Sequence, residues 1–192
     1  MAQTPVGGVR GAGGADAAAT AVAALGERPA TLAEGRLLCV DGPSGSGKTT
    51  LARAVSRLVP GSRVVHLDAL YDGWDGLPRL DRALEPLLRP LARGELGRYR
   101  RYDWRTERYA GWVDVPPAPL LVLEGVGAWS PTYADLVTVL VWVEATPEER
   151  LARAVARDGE AMAPRLRAWA VAEDRHFSAS RARRRADLVL RT

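Results

Sequence analysis

The stretch Gly42-Pro43-Ser44-Gly45-Ser46-Gly47-Lys48-Thr49 has a chemistry of its own. Four residues separate its first glycine from a Gly-Lys-Thr triplet, the pattern of a loop that wraps phosphate oxygens in backbone N–H groups. Gly42, Gly45 and Gly47 let the chain turn tightly. Ser44 and Ser46 add hydroxyls, and Thr50 begins the helix whose N-terminus lends positive potential. Lys48 is placed to reach the β- and γ-phosphates and Thr49 to ligate Mg²⁺. Only one lysine stands among the 27 basic residues, and it is Lys48. Elsewhere the composition has replaced lysine with arginine; here a compact ammonium is retained, which a planar guanidinium does not imitate. The segment predicts binding of ATP or GTP with Mg²⁺.

Two carboxylates stand where such a site would use them. Asp68 follows the apolar run Arg63–Leu67, and Glu124 follows Leu120–Leu123. Ligands of open α/β sheets sit at the carboxyl ends of strands. Asp68 there is a candidate base for a substrate hydroxyl and a candidate Mg²⁺ ligand; Glu124 is a candidate ligand through water. Both residue types also end strands and form turns routinely. Arg150, Arg153 and Arg157 share one predicted helix, with Arg153 and Arg157 one turn apart. They read either as catalytic lid arginines that neutralise a transferring phosphoryl group or as a solvated face.

The elements that must hold these groups are legible as alternating patterns. Short apolar runs at Leu37–Val40, Arg63–Leu67, Leu120–Leu123, Leu136–Val143 and Asp187–Leu190 read as strands buried on both faces. Between them, Thr50–Val59 and the leucines Leu80, Leu84, Leu87 and Leu91 mark amphipathic helices. Thr146-Pro147-Glu148-Glu149 opens another with a capping box. The expected fold is α/β: a P-loop NTPase three-layer sandwich with a parallel sheet of about five strands and helices on both faces. Residues 1–30 are dominated by alanine and glycine. They predict a low-complexity tail, disordered up to Gly14, with a helix possible over 15–25, ahead of a domain spanning 36–192.

The order of motifs resembles the uridine kinase family, within the uridine kinase and phosphoribulokinase-like group of P-loop kinases. His66-Leu67-Asp68-Ala69-Leu70-Tyr71 is similar to that family's strand-end aspartate and following aromatic. Arg101-Tyr102-Asp103-Trp104 is similar to its Tyr-Asp-aromatic segment, and Leu123-Glu124-Gly125-Val126 to its Glu-Gly turn. Glu149–Asp158 resembles its lid helix and Arg185–Leu190 its closing strand. The resemblance runs from Arg36 to the end of the chain. It implies transfer of the ATP γ-phosphate to a small-molecule hydroxyl, with Asp68 as base and Mg²⁺ as cofactor, as in uridine and cytidine kinases. The chain departs from the pattern where the family's pyrimidine reader has a histidine, here Glu107, and where Asp-His-Pro-Asp is replaced by Asp75-Gly76-Leu77-Pro78. Its lid, Gly159–Pro164, is also short. Tyr71, Trp74, Tyr102 and Trp104 are candidates to line the acceptor site, or simply pack the domain.

Other readings stay open. One is a P-loop kinase acting on a nucleoside monophosphate or a non-nucleoside alcohol. Another is a nucleotide-binding regulatory protein that hydrolyses slowly and uses Arg181, Arg183, Arg184 and Arg185 on nucleic acid. That run is short and lacks interleaved aromatics, so a solvated helix end is favoured and nucleic acid is not expected as a partner. The net charge of +4 suits a phosphate-bearing ligand. A single cysteine, Cys39, excludes an internal disulfide framework. No apolar run approaches a membrane span, and Asp16 interrupts the only stretch resembling a signal. A cytoplasmic protein is expected; a homo-oligomer is compatible with everything above.

Overall fold

The computed structural model describes residues 14–192. Seven strands and six helices run in chain order α1 (Gly14–Gly26), β1 (Arg36–Asp41), α2 (Lys48–Leu58), β2 (Arg63–His66), α3 (Leu80–Ala92), β3 (Gly97–Asp103), β4 (Arg108–Val115), β5 (Leu120–Glu124), β6 (Val139–Glu144), α4 (Pro147–Asp158), α5 (Ala163–Ser180), α6 (Ala182–Arg185) and β7 (Leu188–Arg191). Five of the strands form one sheet in the order β2-β5-β1-β6-β7, and every pairing in it is parallel. The central strands carry apolar residues on both faces, which is why they read as continuous runs rather than alternations.

Successive residues of a strand feed opposite layers. Leu37 and Cys39 of β1 face the core built with the α3 leucines and Trp169 of α5; Leu38 and Val40 face the core built with α1 and α2. The three-layer α/β sandwich expected from the pattern is therefore present. Helix α1 belongs to it: Ala17, Ala18, Ala21 and Leu25 are buried in the second core. Beyond it Arg28 donates to Asp187 at 2.7 Å and to the Thr138 carbonyl at 2.8 Å. The packed chain thus starts ahead of Arg36. The disorder expected up to Gly14 falls almost wholly outside the described residues.

Several boundaries differ from the sequence pattern for identifiable reasons. The second strand stops at His66, because Leu67–Ala69 turns into a single 3-10 turn that carries Asp68. The run Leu136–Val143 becomes a strand only from Val139; ahead of it the Thr138 amide bonds the Leu37 carbonyl, and its hydroxyl accepts the Leu37 N–H at 3.0 Å. Asp187 lies before β7, its carboxylate occupied by the Leu140 amide and Arg28. Two elements were not foreseen at all. One is the antiparallel hairpin β3–β4; the other is the 18-residue helix α5.

Candidate active site

The glycine-rich loop joins β1 to α2 at the carboxyl edge of the sheet, as the motif requires. Gly47 holds φ 95° and α2 begins at Lys48, so the helix N-terminus opens directly into the loop. Gly45, at φ 76°, is needed twice over: a Cβ there would lie 2.5 Å from the Arg150 carbonyl of α4. The loop is gripped from several sides. Asp41, fully buried at the end of β1, accepts the amides of Gly42, Gly127 and Trp129 at 2.7, 2.9 and 3.0 Å. Burial pushes its pKa up to about 6, against the pull of those three N–H groups and Lys48. Thr192 donates to the Ser46 carbonyl at 3.0 Å.

Lys48 is buried, and its Nζ donates to the Pro43 carbonyl at 2.9 Å. Burial lowers its pKa, opposed by the charges of Glu173, Glu124, Asp41 and Asp68. The field of four carboxylates thus acts on one ammonium. Thr49 Oγ1 donates to Glu124 Oε1 at 3.0 Å. The same carboxylate oxygen takes the Nδ1 hydrogen of His66, whose pKa this bond raises above its usual value. Asp68 stands beside them. Its carboxylate is open to the solvent of the cleft yet crowded by protein, and that crowding raises its pKa; Lys48, Arg157 and His66 pull the other way.

The donor set fits the nucleotide and metal that the loop implies. Thr49, Glu124 and Asp68 offer hard oxygen donors, the kind Mg²⁺ takes through a few protein groups and substrate phosphates. No cluster of three or more acidic, histidine or cysteine side chains forms a dedicated protein cage among the described residues. Ser46 Oγ and Arg150 Nε are buried without a hydrogen-bond partner among the described residues, two donors at the loop available to an anion.

Beside Asp68 lies a cavity of about 560 Å³ lined by Ser44, Tyr71, Trp74, Trp104, Arg157 and Trp169, among others. A second, of about 510 Å³, continues from it past Trp74, Trp104, Glu107, Arg165 and Trp169 to Tyr102. The four aromatic residues named as candidates for the acceptor site, Tyr71, Trp74, Tyr102 and Trp104, therefore line these two cavities. Trp104 donates its indole N–H to the Asp68 carbonyl at 2.7 Å, tying the hairpin to Asp68. Tyr71 is buried with its hydroxyl on the Val126 carbonyl at 2.7 Å, so it serves as wall rather than hydrogen-bonding group. Tyr102 packs edge-on against Trp104 with ring centroids 5.2 Å apart.

The lid arginines take separate places. Arg153 donates to the Gly45 carbonyl at 3.3 Å and to Thr192 at 2.9 Å, bracing the back of the loop. Arg157 lines the larger cavity and pairs with Asp158 at 2.7 Å, close enough to Asp68 and Glu124 to feel their charge. Of the terminal arginine run, Arg183 is paired with Glu144, which also holds Arg191 and Trp142. Arg184 and Arg185 are exposed. Three functional candidates escaped the sequence reading: Asp41, Trp169 and Glu173. Asp41 carried a signal, an aspartate buried at the end of β1 directly before the loop; the α5 pair carried none.

No family model and no curated protein matches this chain. Solved structures do. A possible uridine kinase from Bacillus stearothermophilus superposes with a TM-score of 0.60 at 22% identity, over 81% of this chain and 89% of that one. A candidate fructose transport system kinase from Silicibacter sp. TM1040 superposes with a TM-score of 0.65 at 23% identity, over 93% and 99%. The chain has the fold of the uridine kinase-like P-loop kinases.

Proposed function

We propose that this protein is an ATP- and Mg²⁺-dependent phosphotransferase that moves the γ-phosphate to a hydroxyl of a small molecule. The observation that carries the reading is Asp68, which feels the charges of Lys48 and Glu124 on one side and lines an open aromatic cavity on the other. A carboxylate in that position accepts the proton of an acceptor hydroxyl as it attacks. Loop amides from Gly42 to Thr50 and Lys48 hold the phosphates, and Arg157 faces the side on which charge develops. Thr49, Glu124 and Asp68 would hold Mg²⁺, which when bound neutralises phosphate charge and orients the β- and γ-oxygens. The raised pKa of Asp68 makes it a better base than an ordinary aspartate, while Lys48 and Arg157 keep it ionisable.

Uridine or cytidine is the first acceptor to test, by the resemblance of the motifs. A non-nucleoside alcohol is the second reading. Glu107 and Arg165 favour it: they form a 3.8 Å ion pair at the cavity rim, at the position where the uridine kinase pattern has a histidine. A panel of nucleosides, sugars and other alcohols with γ-labelled ATP separates the two. Label appearing in uridine or cytidine supports the first; label appearing only in a non-nucleoside alcohol supports the second.

A further inference from the structure

Helix α5 presents Trp169 and Glu173 one turn apart on a single face, and both close on one residue of the phosphate loop. Glu173 Oε1 accepts the Ser44 amide at 2.9 Å, and the Trp169 indole N–H donates to Ser44 Oγ at 3.1 Å. Glu173 is only 1% exposed. A buried carboxylate persists where donors compensate it, and here they are Ser44 and, at a longer 3.5 Å, Arg150. It is also the carboxylate that acts most strongly on Lys48. Trp169 has a second allegiance. Its ring packs against Tyr71 and Trp74 with centroids 5.2 and 5.9 Å away, and it lines both cavities beside Asp68. One side chain thus touches the wall of the aromatic cavity and the loop that holds the nucleotide.

The geometry points to Trp169 and Glu173 as positioning residues that fix Ser44 and couple the aromatic cavity to the phosphate loop. This rests on the kinase reading above and adds to it a route between the two binding regions. Neither residue needs to touch the transferred phosphoryl group. Glu173 sets where the Ser44 backbone sits, and Trp169 sets its hydroxyl, so a displaced indole displaces the loop.

The test needs no acceptor. MgADP binding is measured by calorimetry for the unaltered protein, Trp169→Phe, Ser44→Ala, their double variant and Glu173→Gln, with folding of each checked by circular dichroism. Trp169→Phe and Ser44→Ala each weaken binding about fivefold, the worth of one neutral hydrogen bond, and the double variant weakens it no further. Glu173→Gln weakens it about tenfold, since a charged acceptor is replaced by a neutral one. Tryptophan emission changes on MgADP addition in the unaltered protein, in Trp74→Phe and in Trp104→Phe, but not in Trp169→Phe. Binding by Trp169→Phe equal to that of the unaltered protein overturns the inference. So does a double variant whose loss is the product of the single losses, about 25-fold from two such bonds. If the unaltered, folded protein binds no MgADP, the kinase reading has failed and this inference falls with it.

Discussion

The phosphate loop and the aromatic cavity share a border at Asp68 but are built in opposite ways. Around the loop almost every group is spoken for. Asp41 holds three amides, Glu173 and Trp169 hold Ser44, Thr192 holds Ser46, and Arg153 holds the Gly45 carbonyl. The cavity is assembled from two buried rings, Tyr71 and Trp169, and three half-buried ones, Trp74, Tyr102 and Trp104, most of them meeting at their edges, with an exposed ion pair at its rim. A fixed, desolvated frame suits a ligand whose phosphates never vary. A wall of edge-packed rings, whose hydrogen bonds go to the protein rather than into the cavity, leaves the other ligand to be selected by shape and by a few side chains. On the proposed function, the rigid half would serve the reaction and the looser half the choice of substrate.

If that contrast holds, damage on the loop side should be severe and damage on the cavity side graded. Asp68→Asn should lower phosphoryl transfer by about 10³-fold, because the base is lost, while ATP affinity measured by calorimetry stays near that of the unaltered protein. Lys48→Arg keeps the charge yet should lower kcat by about 10²-fold, since a planar fork cannot occupy a point-charge position. Near-normal turnover in that variant would break the account of the loop. Asp41→Ala leaves three buried amides without an acceptor and should cost about 3 kcal/mol of stability in a urea titration.

The pH profile sharpens the same border. On the proposed function Asp68 acts as an ionised base, and crowding raises its pKa, so kcat/KM should fall as pH drops through a value above that of an ordinary aspartate. The acid limb is the readout; a limb at or below the usual carboxylate range would contradict the burial argument. Smallest of all, Trp104→Phe removes one hydrogen bond to the Asp68 carbonyl and keeps an aromatic wall. A loss of about fivefold in kcat/KM is expected. A loss rivalling that of Lys48→Arg would show that the cavity is as rigidly specified as the loop.

The same contrast explains what could be read from the chain. The loop motif is contiguous, and Asp68 and Glu124 follow strands whose apolar runs announce them, so these groups were placed from local pattern alone. Glu173 and Trp169 lie 129 and 125 residues from Ser44, and α5 has no clean apolar stripe, because its buried residues include a glutamate as well as Leu166 and Trp169. The hairpin β3–β4 is arginine-rich and mostly exposed, so neither strand alternates cleanly. Tyr102 and Trp104 were singled out there by resemblance, not by periodicity. The spacing of Arg153 left it open between a lid arginine and a solvated face; in the structure it meets the carbonyl of Gly45 and the hydroxyl of Thr192. Alanine in α1 looked like low complexity because small residues on a close-packed face leave little pattern to see.

The central claim is that nucleotide chemistry here is directed at an acceptor and not at water. ADP formation followed with and without a mixture of nucleosides, sugars and other alcohols, at saturating ATP and Mg²⁺, addresses it most directly. The account predicts ADP release that rises many-fold when the acceptor is present, in step with label leaving ATP for an organic hydroxyl. ADP release at one slow rate whatever alcohol is added, with all label recovered as inorganic phosphate, would contradict it.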